Sequence, residues 1–236
     1  MLLPSWVEKE LSLRSDRQAL LERGASGEPW EYILGNVAFY GCQIHVDRRT
    51  LIPRCETEWL VDRIAKENPK GALWDICTGS GCIGIALKKN FPYLEVSISD
   101  LSSDALSLAL KNSQVNQVDI SFYQGDFLTP FLGKKADWIV SNPPYVSEEE
   151  YLTLDLSVKE FEPKMALIAE NEGLKFYQRF ASEAPSFLHP GGHIFLEIGY
   201  QQGERVKKIF HTEKWRDQKV FQDLSGKDRF FYAKNF

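Results

Sequence analysis

The stretch Asp75-Ile76-Cys77-Thr78-Gly79-Ser80-Gly81-Cys82-Ile83-Gly84 decides how the rest of the chain reads. An apolar run over residues 72–76 leads into it, and a helical pattern runs out of it to residue 90. Gly79, Gly81 and Gly84 satisfy G-x-G-x-x-G, a spacing that lets the backbone turn tightly and approach a ligand at a helix N-terminus. Asp100 stands at the end of the next strand, residues 95–99, where an acid can grip the hydroxyls of a ribose. The loop by itself suits either a dinucleotide or S-adenosylmethionine. Asp75, just ahead of the loop, leans toward the second, because its methionine end carries an ammonium that an acid can hold.

Outward from this loop, strands and helices alternate. Residues 104–116 read as a helix with Ala105, Leu106, Leu108, Ala109 and Leu110 apolar. Residues 120–123 and 137–141 read as strands and 173–184 as a helix. Residues 193–198 read as a strand after a Pro190-Gly191-Gly192 turn, 205–210 as a helix, and 220–222 and 229–233 as closing strands. The rhythm predicts an α/β fold with a mostly parallel sheet covered on both faces.

The N-terminal quarter differs. Residues 28–58 read as a hairpin-like segment: Tyr32-Ile33-Leu34-Gly35, then Val37-Ala38-Phe39-Tyr40-Gly41, then Ile44-His45-Val46, closed by Pro53. Thr57 is expected to cap a helix through Leu60, Val61 and Ile64. Residues 1–27 read as a short helical lead-in, with Ser5 and Glu8 in capping-box spacing and Gly24 and Gly27 marking its end. The chain is thus divided into a lead-in, 1–27, a hairpin segment, 28–58, and the main domain, 59–236.

Composition bounds the function. The chain has 236 residues, 43% hydrophobic and 26% charged, enough to bury a full core without staples. A net charge of -5 argues against broad phosphate-backbone binding, so no direct nucleic-acid partner is expected. Cys42, Cys55, Cys77 and Cys82 form no C-x-x-C pair, which points to a reducing compartment. Cys42 and His45 sit three apart, but no second ligand pair follows, and no metal is expected. The N-terminus lacks a signal-peptide pattern, and no apolar run reaches the ~20 residues of a membrane span, so a cytoplasmic location is expected.

The second chemical signal is Asp137-Trp138-Ile139-Val140-Ser141-Asn142-Pro143-Pro144-Tyr145, a strand running into Asn-Pro-Pro-Tyr. Two prolines remove successive N–H groups and stiffen the backbone, leaving carbonyl oxygens free to accept. Asn142 adds a further acceptor oxygen and Tyr145 a flat wall. This set suits a planar –NH2 group whose two hydrogens are received by two oxygens. A third signal, Gly125-Asp126-Phe127, follows the 120–123 strand. Asp126 can accept from an adenine amino group, and Phe127 can stack on its ring.

Together these motifs resemble the class I S-adenosylmethionine-dependent methyltransferases that act on planar amino groups. Further stretches narrow the likeness: Glu28-Pro29 with Tyr32-Ile33-Leu34-Gly35, Phe39-Tyr40-Gly41, Leu51-Ile52-Pro53-Arg54-Cys55-Glu56-Thr57-Glu58, Phe161-Glu162-Pro163, and Asp223-Leu224-Ser225-Gly226-Lys227-Asp228-Arg229. Over about residues 28–236 the chain is similar to the HemK/PrmC family, the N5-glutamine methyltransferases of peptide chain release factors. The resemblance implies a Rossmann-like, mostly parallel seven-stranded sheet preceded by a short helical segment and a β-hairpin. It implies transfer of a methyl group from S-adenosylmethionine, leaving S-adenosylhomocysteine, to the glutamine of the Gly-Gly-Gln loop of class I release factors.

Site roles follow from the same resemblance. Asp75, Cys77, Thr78, Gly79, Ser80 and Gly81 fall on the cofactor side, the last four along its methionine half. Asp100 would hold the ribose hydroxyls, Asp126 and Phe127 the adenine, and Asn142 would reach both cofactor and substrate. Asn142 and Pro143 would receive the glutamine amide, and Pro144 and Tyr145 would shape its slot. Arg54 would lie toward the substrate, with Glu162 supporting its segment. Cys77 replaces a usual glycine, Cys55 replaces a usual proline and is expected to loosen its segment, and 27 residues precede Glu28 where the family usually carries a helical N-terminal domain of several dozen, so that domain is either reduced or begins outside this sequence. Two sister activities use similar motifs: glutamine methylation on a ribosomal protein, and N6-adenine methylation of DNA, which would have to flip its base.

Overall fold

The computed structural model describes residues 3–236; Met1 and Leu2 of the lead-in lie outside them. The architecture follows from strands too apolar to face water. In β3, Ala72–Ile76, every residue after Ala72 is buried, and β6, Ala136–Ser141, is nearly the same. Such strands need cover on both faces.

Seven strands form the main sheet in the order β5-β4-β3-β6-β7-β9-β8. Here β4 is Glu95–Asp100, β5 Ser121–Gln124, β7 Leu188–Glu197, β8 Trp215–Gln222 and β9 Asp228–Asn235. The pairs from β5 to β7 are parallel, and β9 runs antiparallel to both of its neighbours. Helices α4, Cys55–Lys66, α5, Cys82–Asn90, and α6, Ser103–Val115, contribute to the core on one face. On the other lie α9, Lys175–Glu183, and α10, Gly203–Phe210. This is the mostly parallel α/β sheet expected from the sequence.

Strand order reverses between β3 and β6, which places a ligand crevice at their carboxyl ends. Ser141 lies opposite Ile76, so the glycine loop and the Asn-Pro-Pro-Tyr turn leave the sheet side by side. The Ser141 hydroxyl ties them by donating to the Ile76 carbonyl at 2.5 Å.

The hairpin, β1 (Asn36–Phe39) and β2 (Cys42–His45), docks across α5 and α6. Asn112 of α6, wholly buried, makes the joint. Its Oδ1 accepts from the His45 N–H at 2.7 Å, and its Nδ2 donates to the His45 and Ser80 carbonyls at 3.0 and 2.9 Å. The hairpin residues Phe39, Cys42 and Ile44 share the core of α4 and α5, and the division at residue 58 falls inside α4.

Several local expectations are corrected. The lead-in is two short helices, α1 (Ser5–Leu11) and α2 (Arg17–Ala25), and α1 begins at Ser5 behind Pro4 with no side-chain cap. Tyr32-Ile33-Leu34 lies in a helical turn, α3 (Trp30–Leu34), closed by Gly35 in the left-handed region. Residue Thr57 does not cap α4; Arg54 is the cap position, and Thr57 sits in the first turn with its hydroxyl turned to Glu197. The Pro190-Gly191-Gly192 segment lies within β7 as an irregularity in its pairing with β6. Two helices of six residues, α7 (Glu148–Thr153) and α8 (Leu156–Phe161), add elements beyond the sequence reading. Among the described residues no helix is long and apolar enough to cross a membrane, and no group of three or more His, Cys, Asp or Glu is arranged to hold a metal.

Candidate active site

A cleft opens at the carboxyl ends of β3, β4 and β6, where open α/β sheets place their ligands. Its floor is the glycine loop. Gly81 caps α5 at φ +81°, and a Cβ there would press on Ile85 and Ala109 at 3.0 and 3.1 Å, so the residue lets α5 and α6 close together. Cys77 also takes positive φ, +58°, a conformation that favours the glycine it replaces.

Asp75 shapes the loop from beneath. It is wholly buried, and its Oδ2 accepts from the Thr78 hydroxyl at 2.5 Å and the Gly84 N–H at 3.0 Å. Burial pushes its carboxyl up to about 7 against the pull of those two bonds. It does not line the cleft, and Gly81 does not either. Cys77, Thr78, Gly79 and Ser80 do.

Asp100 faces the cleft from the end of β4. One oxygen accepts from the Gly79 N–H and the other from the Ser102 N–H, each at 2.9 Å. Burial raises its carboxyl despite these bonds, and each oxygen keeps a lone pair for a ligand hydroxyl. Thr50 and Ser99 also line the cleft, and each carries a buried hydroxyl with no partner among the described residues. Unpaired buried hydroxyls beside a half-satisfied carboxylate fit a ligand rich in hydroxyl and amino groups, as the ribose and methionine parts of S-adenosylmethionine are.

Asp126 and Phe127 line the same cleft, with a partner that sequence reasoning missed. Arg179 of α9 donates to Asp126 at 2.9 Å, and its guanidinium lies 4.2 Å from the centre of the Phe127 ring. Phe127 itself is buried against Phe176 and Phe180, so one face of its ring is already covered by Arg179.

Asn142 and Pro144 line the far side, with Pro143 buried between them and Tyr145 half-buried behind. Among the described residues no backbone N–H donates to the Pro143 carbonyl. Behind the turn stands Glu197, which the sequence reading did not single out. Its Oε2 accepts from the Thr57 hydroxyl at 2.7 Å and its Oε1 from the Tyr145 hydroxyl at 3.4 Å. Thr57 accepts in turn from the Asn142 amide nitrogen at 3.3 Å. Burial pushes Glu197 up to about 7, and burial next to that carboxylate pushes the Tyr145 hydroxyl up as well. One signal for Glu197 was legible: a lone acid in the otherwise apolar Ile194-Phe195-Leu196-Glu197-Ile198. Gln202 fixes the far end of the turn, donating to the Tyr145 carbonyl at 2.9 Å.

Arg54 is not brought to this cleft. Its guanidinium pairs with Glu162 at 2.5 Å, in a separate hollow lined by Trp30, Ile52 and Val158. The other Glu162 oxygen accepts from the Ile52 N–H at 3.0 Å, which is the supporting contact expected of it.

Comparison with known proteins agrees with this geometry. The family model "Methyltransferase small domain" matches residues 55–159. A release factor glutamine methyltransferase of Enterococcus faecalis is 42% identical over 96% of this chain and 81% of its own length. One of Lactococcus lactis is 43% identical over 97% and 84%. Among solved structures, a methyltransferase from Pyrococcus furiosus matches with a TM-score of 0.62 and 16% identity, covering 94% of this chain and 98% of its own. That likeness is one of fold.

Proposed function

This chain belongs to the release factor glutamine methyltransferase family, and from that membership we propose its reaction: transfer of a methyl group from S-adenosylmethionine to the side-chain amide nitrogen of the glutamine in the Gly-Gly-Gln loop of a peptide chain release factor. The observation that carries the reading is the adjacency of two loops. A glycine loop shaped by Asp75 and Asp100 leaves the sheet beside the Asn142-Pro143-Pro144 turn, of which Asn142 and Pro144 line the same cleft.

S-adenosylmethionine supplies an electrophilic methyl group on a sulfonium. Thr78, Gly79 and Ser80 would hold its methionine half, Asp100 would accept from the ribose hydroxyls, and Asp126 with Phe127 would bound the adenine. An amide nitrogen is a poor nucleophile because its lone pair is delocalised into the carbonyl. Asn142 Oδ1 and the Pro143 carbonyl accept its two hydrogens, which fixes the nitrogen in place and concentrates electron density on it. Holding reacting atoms ~3 Å apart removes much of the entropic barrier. Oxygens aimed at the positive charge growing on nitrogen lower the rest. Pro144 and Tyr145 wall the slot. No strong base is required of the protein, since the product nitrogen becomes acidic only once methylated and then loses its proton to water.

The test is transfer of radiolabelled methyl to a release factor, beside a version whose loop glutamine is alanine and beside naked DNA. Label on the intact factor alone supports the reading. Label on the alanine version or on DNA overturns it.

A further inference from the structure

The hydrogen bonds behind Asn142 carry an inference that rests on the reading of that residue as acceptor for the glutamine amide. Glu197 ends β7 at the base of the turn and is 1% exposed. Both its oxygens accept, from Thr57 and Tyr145. A carboxylate has no proton to give. The single hydroxyl proton of Thr57 is therefore committed to Glu197, and its oxygen can only accept on its other side. Asn142 must meet it with the NH2 end, at 3.3 Å, which leaves Oδ1 directed away from Thr57. We propose that Glu197 and Thr57 are positioning residues: through two forced donor–acceptor choices they fix the amide orientation of Asn142, so that an acceptor rather than a donor meets the substrate amide.

The direction of the chain reverses with the charge. A proton on Glu197 Oε2 donates to Thr57, Thr57 then donates to Asn142 Oδ1, and the NH2 end of Asn142 confronts a substrate that also brings N–H donors. A proton on Oε1, which faces Tyr145, leaves the Thr57 bond and the accepting orientation in place; only a proton on Oε2 reverses them. The groups around Glu197 are mixed. Burial is the largest influence and raises its carboxyl to about 7. The Thr57 bond, Arg229 of β9 and the Tyr145 bond favour the charge, and Glu56 of α4 opposes it. Tyr177 of α9 donates to the Glu197 backbone carbonyl at 3.0 Å, and the Cys82 thiol of α5, pushed up mainly by burial, also feels the carboxylate. Turnover should therefore fall on the acid side of neutrality by the share of Glu197 protonated on Oε2.

The experiment measures kcat against pH with a release factor as acceptor, together with S-adenosylmethionine affinity, for the full chain and for Thr57→Val, Thr57→Ser and Glu197→Gln. Thr57→Val should lower kcat about 100-fold, the scale of one lost electrostatic contact, with cofactor affinity nearly unchanged. Thr57→Ser, which restores the hydroxyl, should recover most of the turnover. The parent should show an acid limb in kcat. Glu197→Gln, whose Oε1 accepts from Thr57 at every pH, should lose it. Parental turnover in Thr57→Val, equal impairment in Thr57→Val and Thr57→Ser, or an acid limb unmoved in Glu197→Gln would each overturn the proposal. Should Thr57→Val fail to fold, the Glu197→Gln profile decides. A parent that binds the cofactor but methylates no release factor overturns the functional reading instead, and is seen before any variant is made.

Discussion

Glu197→Gln is expected to stabilise the protein at pH 8 and to lose that advantage toward pH 5. Burial raises the native carboxyl from its ordinary value of 4.5 to about 7. The folded state therefore binds this proton more tightly than the unfolded chain does. Its contribution to stability is fully present below about 4.5 and is lost as pH rises through about 7. At ~1.4 kcal/mol for each pH unit between the two values, the loss approaches ~3 kcal/mol, a large part of a typical ~5–15 kcal/mol total. Glutamine does not titrate. It keeps the Thr57 bond through Oε1 and turns Nε2 toward the Tyr145 oxygen, so its own offset is about 1 kcal/mol and independent of pH. Asp75, also raised to about 7, and His193, lowered to about 4 by burial, titrate in parent and variant alike and cancel in the difference. Urea unfolding followed by fluorescence of the six tryptophans gives both stabilities from pH 5 to 8.5. A difference that stays flat across that range refutes the reasoning, because Glu197 would then titrate as it does in water.

Other expectations follow from single contacts. Asn142→Ala should lower kcat by about 100-fold while S-adenosylmethionine still binds; equal losses in both, by calorimetry and methyl transfer, would remove Asn142 from its acceptor role. In Gly173→Ala, at φ +80°, the new Cβ would overlap the Tyr145 carbonyl oxygen. A loss of ~2 kcal/mol of stability together with reduced transfer is expected, and unfolding curves with activity assays read both. Cys55 occupies the first position of α4, behind Arg54 at φ -93° and ψ 151°, a backbone already suited to precede proline. Cys55→Pro should therefore add ~0.4–1 kcal/mol, checked by urea midpoint.

What the sequence shows and hides divides by distance along the chain. The glycine loop and Asn-Pro-Pro-Tyr were legible because each is one continuous segment in a strand–turn context. Asp100 was legible because it ends the next strand. Thr57 and Glu197 meet across 140 positions, and Arg179 and Asp126 across 53, so no local pattern joins them. The residues 32–34 passed for a strand because α3 has five residues, too few to display a helical period. The two helices α7 and α8 bury no side chain, and without a buried stripe no amphipathic pattern marks them. Arg54 was placed toward the substrate by its neighbours in the motif; its pairing with Glu162, 108 positions on and outside the cleft lining, had no local signal.

Two buried acids with the same raised value make different demands on the site. Asp75 accepts both of its bonds at Oδ2, while Oδ1 is buried with no partner among the described residues. A proton on Oδ1 leaves the bonds to Thr78 and Gly84 in place, so the shape of the glycine loop is indifferent to the charge of Asp75. Glu197 uses both oxygens as acceptors, and a proton on the one facing Thr57 reverses a bond. Although both titrate near 7, the geometry assigns the acid limb of turnover to Glu197 alone. Asp75→Asn, which can keep both bonds through its remaining oxygen, should leave that limb where the parent has it. A limb that disappears in Asp75→Asn and persists in Glu197→Gln would reverse the assignment. The charge beneath the glycine loop, and with it the hold on a cofactor ammonium expected from the sequence, would then govern the rate.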